Sequence, residues 1–278
     1  MTMTKREVLT IWITGASSGI GRSTAIEAAS HGHRLILSAR NAEQLEEVAR
    51  ECEQRGGRAM VLPCDLSDTK AIPQLVENAW NLLPGGIDIL YLNAGISQRC
   101  RVEDLEEAMI RRIMELDYFA NVLMAKNILP KMLTREPARK VGGWGLRGQI
   151  AVTSSICGLF GFPLRSIYSS AKAALYGFFE TLDAEYHDQG IAVSIICPGR
   201  VLTDISLHAV EKGGTEHGKL DAGQKTGMSA EKAGRIIYKA IIKARPHTLV
   251  GGKELLMVYI KRFFPRLCAK LSRKISPE

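Results

Sequence analysis

The 278-residue chain lacks several features that mark particular protein classes. Its longest apolar runs fall short of the roughly eighteen residues that a membrane-spanning helix needs. The first ten residues, MTMTKREVLT, are too polar for a secretory signal peptide. The six cysteines form no C-x-x-C pair and have no histidine at metal-ligand spacing. We therefore expect reduced thiols, no metal site and a cytoplasmic location.

Acidic residues are scarce at the carboxyl end. The formal net charge is +8, and residues 253–278 hold seven Lys or Arg against two Glu. A positive charge confined to one segment does not favour a nucleic-acid-binding surface over the whole protein. We therefore expect no nucleic-acid partner.

What the sequence does contain is a regular alternation of short apolar runs with helical patterns. Such runs are typical of strands buried on both faces of a parallel sheet, and they occur at 8–14, 33–39, 59–65, 88–93, 148–155, 191–199 and 247–252. The order predicts a single α/β domain over residues 1–252, with a doubly wound parallel sheet of about seven strands and helices on both faces. A long or kinked helix is expected over 103–133 and another over 166–190, while 135–148 and 211–227 are expected to be surface loops.

Three glycines mark the corner where the first strand meets the first helix, in the segment ITGASSGIG. At such a corner, backbone N–H groups and the positive end of the helix dipole face the carboxyl edge of the sheet, where a pyrophosphate fits. A tight turn without a ligand is the alternative, since a glycine triplet alone is a weak signal. The residues predicted at the phosphates are Gly15, Ser17, Ser18, Gly19, Ile20 and Gly21.

The end of the second predicted strand indicates which dinucleotide would bind. An acid at this corner usually binds the ribose 2′-hydroxyl, but here Ala39 is followed by Arg40. A guanidinium can bind a 2′-phosphate with a fork of donors. The sequence therefore favours NADP(H) over NAD(H), with a solvated charge at a helix start as the alternative for Arg40.

Tyr168 and Lys172 are four residues apart on a predicted helix, so their side chains share a face. An ammonium beside a phenol lowers the pKa of the phenol, and the pair can then exchange a proton with a carbonyl or an alcohol. Ser155, at the end of a predicted strand, can reach the same reacting oxygen. These three residues are the predicted catalytic group, although a Tyr and a Lys at this spacing also occur on ordinary solvated helices.

Six motifs in a characteristic order make the chain resemble the short-chain dehydrogenase/reductase family. They are TGASSGIG (14–21), CDL (64–66), LNAG (92–95), SS (154–155), YSSAK (168–172) and PGRVLT (198–203). The resemblance implies a Rossmann-type domain and hydride transfer between a nicotinamide and a carbonyl or alcohol carbon. It also implies a homodimer or homotetramer, because the family commonly packs its long fourth and fifth helices across two-fold axes.

The same resemblance implies roles for individual residues. Ser155 would orient the carbonyl, Tyr168 would protonate it, and Lys172 would bind the nicotinamide ribose and lower the pKa of Tyr168. Toward the adenosine, it implies contacts from Asp65, Leu66, Asn93, Ala94 and Gly95. Toward the nicotinamide, it implies contacts from Pro198, Gly199, Val201 and Thr203.

The chain departs from the family pattern at two places. Leu92 stands where the family usually has Asn, which we interpret as a packing variation. Asp117 stands where the family has the Asn that helps to link the lysine to solvent through a water. An ionised carboxylate accepts hydrogen bonds but cannot donate them, and its charge would alter the activation of the tyrosine. Asp117 is therefore a predicted member of the catalytic group, with Asn121 one turn further on as the alternative.

The carboxyl-terminal segment 253–278 is predicted to be a basic amphipathic tail, kinked or split by Pro265. Such a helix favours a membrane interface with anionic headgroups, and packing against another subunit is the alternative. The tail loosely resembles those of membrane-associated family members that reduce steroids, retinoids and acyl-dihydroxyacetone phosphates. Phe160 and Phe162, expected near the site, also favour an apolar substrate.

The sequence thus predicts an NADP(H)-dependent oxidoreductase that interconverts a carbonyl and an alcohol on an apolar or lipid-like substrate. We expect it to be cytoplasmic and peripherally associated with a membrane. A catalytically silent, nucleotide-sensing or membrane-bound scaffold of the same fold is the competing hypothesis, and Asp117 favours it. A peripheral membrane module that acts mainly through the tail is a third.

Overall fold

The computed structural model describes residues 8–137 and 139–275. Residues 1–7, on which the expectation about a signal peptide rests, lie outside the described residues, as do 276–278 at the end of the predicted tail. The strands are β1 (Thr10–Thr14), β2 (Arg34–Ser38), β3 (Arg58–Val61), β4 (Ile89–Leu92), β5 (Arg139–Val141), β6 (Trp144–Leu146), β7 (Gly148–Thr153), β8 (Ile191–Pro198), β9 (Val201–Leu202), β10 (Met228–Ser229) and β11 (His247–Val250).

The α-helices are shorter and more numerous than the two long ones that stand out in the sequence. They are α1 (Gly19–Ala29), α2 (Ala42–Gln54), α3 (Ile72–Asn81), α4 (Glu107–Met114), α5 (Ala120–Leu133), α6 (Ser166–Tyr186), α7 (Ala222–Lys225), α8 (Ala230–Ile242), α9 (Leu256–Phe263) and α10 (Pro265–Ser272).

The seven apolar runs form one parallel sheet, in the order β11-β8-β7-β4-β1-β2-β3. The strand order reverses between β1 and β4, so a crevice opens there at the carboxyl edge, as in other doubly wound sheets. Helices α1, α2 and α8 cover one face, and α3, α5 and α6 cover the other. The predicted Rossmann-type domain with helices on both faces is confirmed.

Small residues bring α1 close to its neighbours. A Cβ added at Gly234 of α8 would lie 2.7 Å from the backbone carbon of Ser23 in α1. The buried side of α1 also includes Thr24, Ala25, Ala28 and Ala29. The amino end of α1 is thus held tightly at the crevice, where its unpaired N–H groups can meet a ligand.

The prediction of a surface loop over 135–148 was wrong, because the segment contains the antiparallel hairpin β5–β6. Gly142 and Gly143 form its turn with positive φ angles of 58° and 88°, which favour a tight two-residue hairpin. The buried Arg139 fastens the hairpin by donating a hydrogen bond of 2.7 Å to Gln149 Oε1 in β7 and another to the carbonyl of Ile242. The consecutive glycines were the signal that the loop interpretation overlooked.

The long helix expected over 103–133 is interrupted. Helices α4 and α5 are joined by a π-helical segment, Glu115–Phe119, in which Asp117 is fully buried. Asn121 Nδ2 donates a hydrogen bond of 2.9 Å to the carbonyl of Asp117, one of the carbonyls in this irregular turn. Such π segments occur often at functional sites, and this one turns Asp117 toward the sheet edge.

The segment after β9 and the tail are also more structured than loops. Residues 211–227 contain a single 3₁₀ turn and the short α7, and they place Asp221 in a buried position.

In the tail, Pro265 separates α9 from α10, as its missing N–H predicts. Cys268 of α10 is buried in an apolar cluster with Ile156, Phe160 and Cys197. No helix in the described ranges is both long and apolar enough to cross a bilayer.

Gly21 is a packing position whose substitution tests how the first helix is held. A Cβ there would lie 2.1 Å from the carbonyl oxygen of Gly15 and 2.7 Å from Asn93 Nδ2. We expect Gly21→Ala to lower the free energy of unfolding by about 3 kcal/mol, the cost of overpacking a rigid site. Gly177→Ala in α6 is the matched control, because nothing lies within 4 Å of its added methyl group. The control should raise stability by about 1 kcal/mol in urea unfolding, and equal effects of both changes would contradict the packing argument.

Candidate active site

The predicted cofactor residues converge on one cleft at the carboxyl edge of the sheet. The cleft has a volume of about 970 Å³. Its lining includes Gly15, Ser17, Ser18, Gly19, Ile20, Arg40, Asp65, Leu66, Asn93, Ala94, Gly95, Ser155, Tyr168, Lys172, Pro198, Gly199, Val201 and Thr203. Gly21 is not among the lining residues and supports the corner by packing, and its contact with the cofactor stays a prediction.

The glycine corner is shaped for close approach to the backbone. Gly15 and Gly19 have φ angles of 62° and 53°, in the left-handed region that favours glycine. A Cβ at Gly15 would lie 2.9 Å from Ala94 Cα, and one at Gly19 would lie 3.1 Å from the methyl group of Thr203. The turn therefore leaves an open cradle at the amino end of α1, which fits a pyrophosphate.

Asn93 ties three strands together beside this corner. Its backbone N–H donates to Thr14 Oγ1 over 2.9 Å, and its Nδ2 donates to the carbonyls of Thr14 and Gly15. Thr153 Oγ1 of β7 donates to Asn93 Oδ1 over 3.2 Å. The adjacent Leu92 is buried in the apolar core, so its hydrophobic side chain serves packing as expected.

The adenosine end of the cleft carries one carboxylate and two guanidinium groups. Asp65 Oδ1 accepts hydrogen bonds from the N–H and the hydroxyl of Ser67, and these bonds lower the pKa of Asp65. Arg40 and Arg112 lower that pKa further through their charges. Arg112, from α4, was not foreseen, because only the fold brings it to the end of the cleft that Arg40 lines.

Tyr168 and Lys172 lie on α6, and a side chain from another segment caps the amino end of this helix. Gln98 Oε1 accepts hydrogen bonds from the N–H groups of Ile167 and Tyr168, at 2.9 Å and 3.3 Å. Its Nε2 donates to the carbonyl of Cys100. Gln98 thus fixes the position of Tyr168 relative to the end of β4, a role that the sequence pattern does not reveal.

Asp117 faces Lys172 directly. Lys172 Nζ lies 3.1 Å from Asp117 Oδ2 and donates a hydrogen bond of 3.2 Å to the carbonyl of Thr153. Asp117 Oδ1 accepts from the N–H of Ile96 over 2.8 Å. A Cβ at Gly95 would fall 3.0 Å from Asp117 Oδ2 and 3.1 Å from Nζ, so glycine leaves room for the pair. Asn121, the alternative partner, is directed instead to the carbonyl of Asp117.

The pKa of Tyr168 is raised above its ordinary value, while the expected lowering by Lys172 stays a prediction. Burial is the main cause, and the nearby Cys157 and Asp117 raise it further. A hydrogen bond with Ser155 and the charge of Arg165 act in the opposite direction. Asp117, 3.1 Å from the ammonium of Lys172, thus acts against the effect of that ammonium on the phenol. Burial also raises the pKa of Asp117, while Lys172 and the Ile96 N–H oppose that increase.

A second group of charges lies along the same cleft. Arg99 and Arg165 both line the cleft, and both form ion pairs with Asp221. Arg99 and Asp221 are 122 positions apart and come together only in the folded chain, so no sequence motif predicts this group.

Phe160 and Phe162 occupy a different place from the one expected. They line a surface groove of about 550 Å³ between the segment after Ser155 and the tail, where Lys261 and Arg273 also lie. Phe160 packs against the tail cluster that contains Cys268. These phenyl rings therefore lie between the segment after Ser155 and the tail. They do not indicate which kind of substrate the cleft accepts.

Comparison with known proteins agrees with this geometry. The family model described as short chain dehydrogenase matches residues 9–213, most of the sheet and its cleft. The chain belongs to the short-chain dehydrogenase/reductase family. In the described part of the chain, no cluster of three or more His, Cys, Asp or Glu residues could hold a metal ion.

Curated family members extend the similarity over nearly the whole chain. Dehydrogenase/reductase SDR family member 7B from Rattus norvegicus is 34% identical over 262 residues, which cover 92% of this chain and 77% of that protein. Dehydrogenase/reductase SDR family protein 7-like from Drosophila melanogaster is 33% identical over 265 residues, with coverage of 94% and 77%.

Solved structures of the short-chain dehydrogenase/reductase family share the fold. A member from Burkholderia phymatum in complex with NAD has a TM-score of 0.79 at 21% identity, covering 95% of this chain and 96% of that one. A short-chain dehydrogenase from Sphingobium yanoikuyae in complex with NADPH has a TM-score of 0.74 at 23% identity, covering 97% of both chains. These two neighbours therefore show that the chain has the family fold.

Proposed function

We propose that the protein is an NADP(H)-dependent oxidoreductase that interconverts a carbonyl and an alcohol on an apolar or lipid-like substrate. The observation that carries this proposal is the meeting of Ser155, Tyr168 and Lys172 in one cleft with the glycine corner. The open cradle at Gly15 and Gly19 fits the phosphates of a dinucleotide, and the hydroxyl groups lie at the other end of the same cleft.

The residues have complementary tasks in this proposal. When bound, the nicotinamide supplies or accepts the hydride. Ser155 Oγ donates a hydrogen bond to the substrate oxygen, and Tyr168 gives that oxygen a proton in reduction or removes one in oxidation. The two hydroxyl groups stabilise the negative charge that develops on the oxygen. Lys172 binds the nicotinamide ribose, and Asp117 fixes the ammonium in position through their 3.1 Å contact.

Arg40 supports the preference for NADP(H). It is exposed just after β2 and lines the cleft. Ala39 precedes it at the place where an acid would bind the ribose 2′-hydroxyl. A guanidinium in this place is suited to the ribose 2′-phosphate, while Asp65 and Leu66 would bind the adenine. Asn93, Ala94 and Gly95 would lie along the adenosine half, and 198–203 would close over the nicotinamide.

The tail supports a contact with a membrane surface. We propose that residues 253–278 form a region distinct from the Rossmann-type domain, which would hold the protein at an anionic lipid surface. Helices α9 and α10 expose apolar side chains, among them Leu256, Tyr259, Phe263, Phe264 and Leu267. Basic residues flank them, and aromatic and basic side chains together favour the lipid interface. This arrangement, rather than the cleft lining, supports a lipid-like substrate and a peripheral location.

Two further parts of the proposal concern assembly and the competing function. A homodimer or homotetramer is expected, as in other members of the family.

A catalytically silent scaffold is favoured by the offset charge of Lys172 and the raised pKa of Tyr168. Tight dinucleotide binding without any turnover across a broad set of aldehydes, ketones and alcohols would support the scaffold.

The role of Tyr168 is tested by removing its hydroxyl group. We expect Tyr168→Phe to reduce NADPH-dependent carbonyl reduction by at least about a hundredfold, because the proton donor is lost. NADPH binding, measured by energy transfer from tryptophan to the nicotinamide, should be retained. Tyr259→Phe, at an exposed tail position, is the matched control and should keep full activity. Full activity of Tyr168→Phe would refute the assignment.

The cofactor preference is tested with the same energy-transfer measurement. The wild-type protein should bind NADPH more tightly than NADH, and Arg40→Ala should weaken NADPH binding about tenfold or more while leaving NADH unchanged, since a charge-assisted bond to phosphate is lost. Arg50→Ala, an exposed change on α2, serves as the control. Equal affinities for the two dinucleotides in the wild type would reject the preference for NADP(H).

The membrane contact is tested by co-sedimentation with vesicles of phosphatidylserine and phosphatidylcholine. Replacing both Phe263 and Phe264 with Ser should abolish binding to anionic vesicles, because these rings are 69% and 63% exposed. Val102→Ser is the control, since Val102 is 68% exposed but lies far from the tail in sequence. Unchanged sedimentation of the double variant would instead favour a subunit interface for the tail.

A further inference from the structure

Residues 211–227, which we call the lid segment, contribute Glu216 and Gln224 to the lining of the cleft. A buried group of charges connects this lid segment to the residues around Tyr168. We call Arg99, Arg165, His217 and Asp221 the lid cluster. Arg99 Nε donates to Asp221 Oδ1 over 3.1 Å, and its Nη2 pairs with Oδ2. Arg165 Nη2 donates to Asp221 Oδ2 over 2.8 Å. Arg99 and Asp221 are only 5% exposed, so these interactions are shielded from solvent.

The lid cluster is tied to the segment that carries Tyr168. Arg165 immediately precedes α6, and its guanidinium lies 4.6 Å from the ring centroid of Phe162 and 3.8 Å from Cys157 Sγ. Arg99 follows Gln98, the side chain that caps α6. Both guanidinium groups line the cleft together with Tyr168 and Ser155. The two guanidinium groups of the lid cluster therefore face the same cleft as the Tyr168 hydroxyl.

The charges in the lid cluster are unequal in number. Asp221 is shared by two guanidinium groups, and His217 Nε2 lies 3.6 Å from its Oδ1 while His217 Nδ1 pairs with Glu211. One carboxylate cannot neutralise two permanent cations. In contrast, the charge of Lys172 is matched one to one by Asp117. Of these groups, Arg165 is the cation that lowers the pKa of Tyr168.

We propose that Arg99 and Arg165 are positioning residues that hold the Tyr168 hydroxyl in a positive field, and that Asp221 on the lid segment sets the strength of that field. The inference rests on the proposed role of Tyr168. It gives the lid segment an electrostatic function in addition to covering the cleft: when Asp221 is seated between the arginines, the field at the phenol is weaker. Displacement of Asp221 strengthens the field and favours the phenolate.

The groups that act on Tyr168 come from every element around it. Lys172 shares α6 with it, Asp117 belongs to the π segment, and Cys157 follows β7. Arg99 follows β4, and His217 and Asp221 belong to the lid segment. Cys157 and Asp117 raise the pKa of Tyr168, whereas Arg165 lowers it. Desolvation lowers the pKa of Arg99, and the charge of Tyr168 is among the influences that raise it, so the two groups interact.

The test is a titration of Tyr168 in the NADP⁺-saturated protein. The phenolate is followed as the ultraviolet difference between each protein and the same protein carrying Tyr168→Phe. Arg165→Gln should raise the midpoint by about one pH unit, because a nearby cation is removed. Asp221→Asn should lower it by about one pH unit, because both guanidinium groups then act without a carboxylate. Arg165→Lys should restore the wild-type midpoint.

An electrostatic role predicts that Arg165→Gln and Asp221→Asn shift the titration midpoint of Tyr168 in opposite directions. A purely structural role predicts no such opposite pair of shifts. Arg101→Gln is the control, since Arg101 is exposed and pairs with Glu103 at the surface. If Asp221→Asn does not fold, the comparison of Arg165→Gln with Arg165→Lys decides alone. Unchanged midpoints in folded variants would overturn the inference. Failure of NADP⁺ to bind, or full activity of Tyr168→Phe, would instead reject the proposed function.

Discussion

The buried contact between Lys172 and Asp117 is the interaction on which the arrangement of the cleft depends. It joins α6 to the π segment, and Asp117 extends the connection to Ile96 at the end of β4. A buried ammonium or carboxylate is costly unless it is paired, so each residue requires the other. The pair also requires Gly95, since a side chain there would occupy the space between the two charges. Three segments from distant parts of the sequence are thereby held at one sheet edge.

This pair changes how the tyrosine is controlled. In a simple Tyr–Lys arrangement the ammonium alone favours the phenolate, but here a carboxylate at 3.1 Å offsets it. Burial of Tyr168 then dominates, and the remaining cationic influence comes from Arg165 in the lid cluster. Because Asp221 belongs to the segment over the cleft, the electrostatics of the phenol and the position of the lid are linked. The glycine corner lies at the other side of the same cleft, where Asn93 keeps β1, β4 and β7 in register.

Much of the fold and of the cleft could be predicted from the sequence, because the features that indicate them lie within short stretches of the chain. Apolar runs gave the seven strands, Pro265 marked the break between α9 and α10, and the glycines at 15 and 19 marked the corner with positive φ angles. The features that were missed depend on tertiary contacts. Gln98 caps a helix that begins 68 residues later, and Arg99 meets Asp221 only after folding. The effect of the Asp117 charge on Tyr168 was expected from the sequence, but the π segment that directs Asp117 toward Lys172 has no signature in the helical periodicity.

The charge state of Asp117 is the most direct test of this account. It can be measured as the infrared difference spectrum between the wild-type protein and Asp117→Asn at neutral pH. Burial raises the pKa of Asp117, but the account requires that Lys172 and the Ile96 N–H keep the group ionised. The predicted result is the paired stretching bands of a carboxylate anion. The carbonyl band of a protonated acid would contradict the account, because Lys172 would then act on Tyr168 without an offsetting charge.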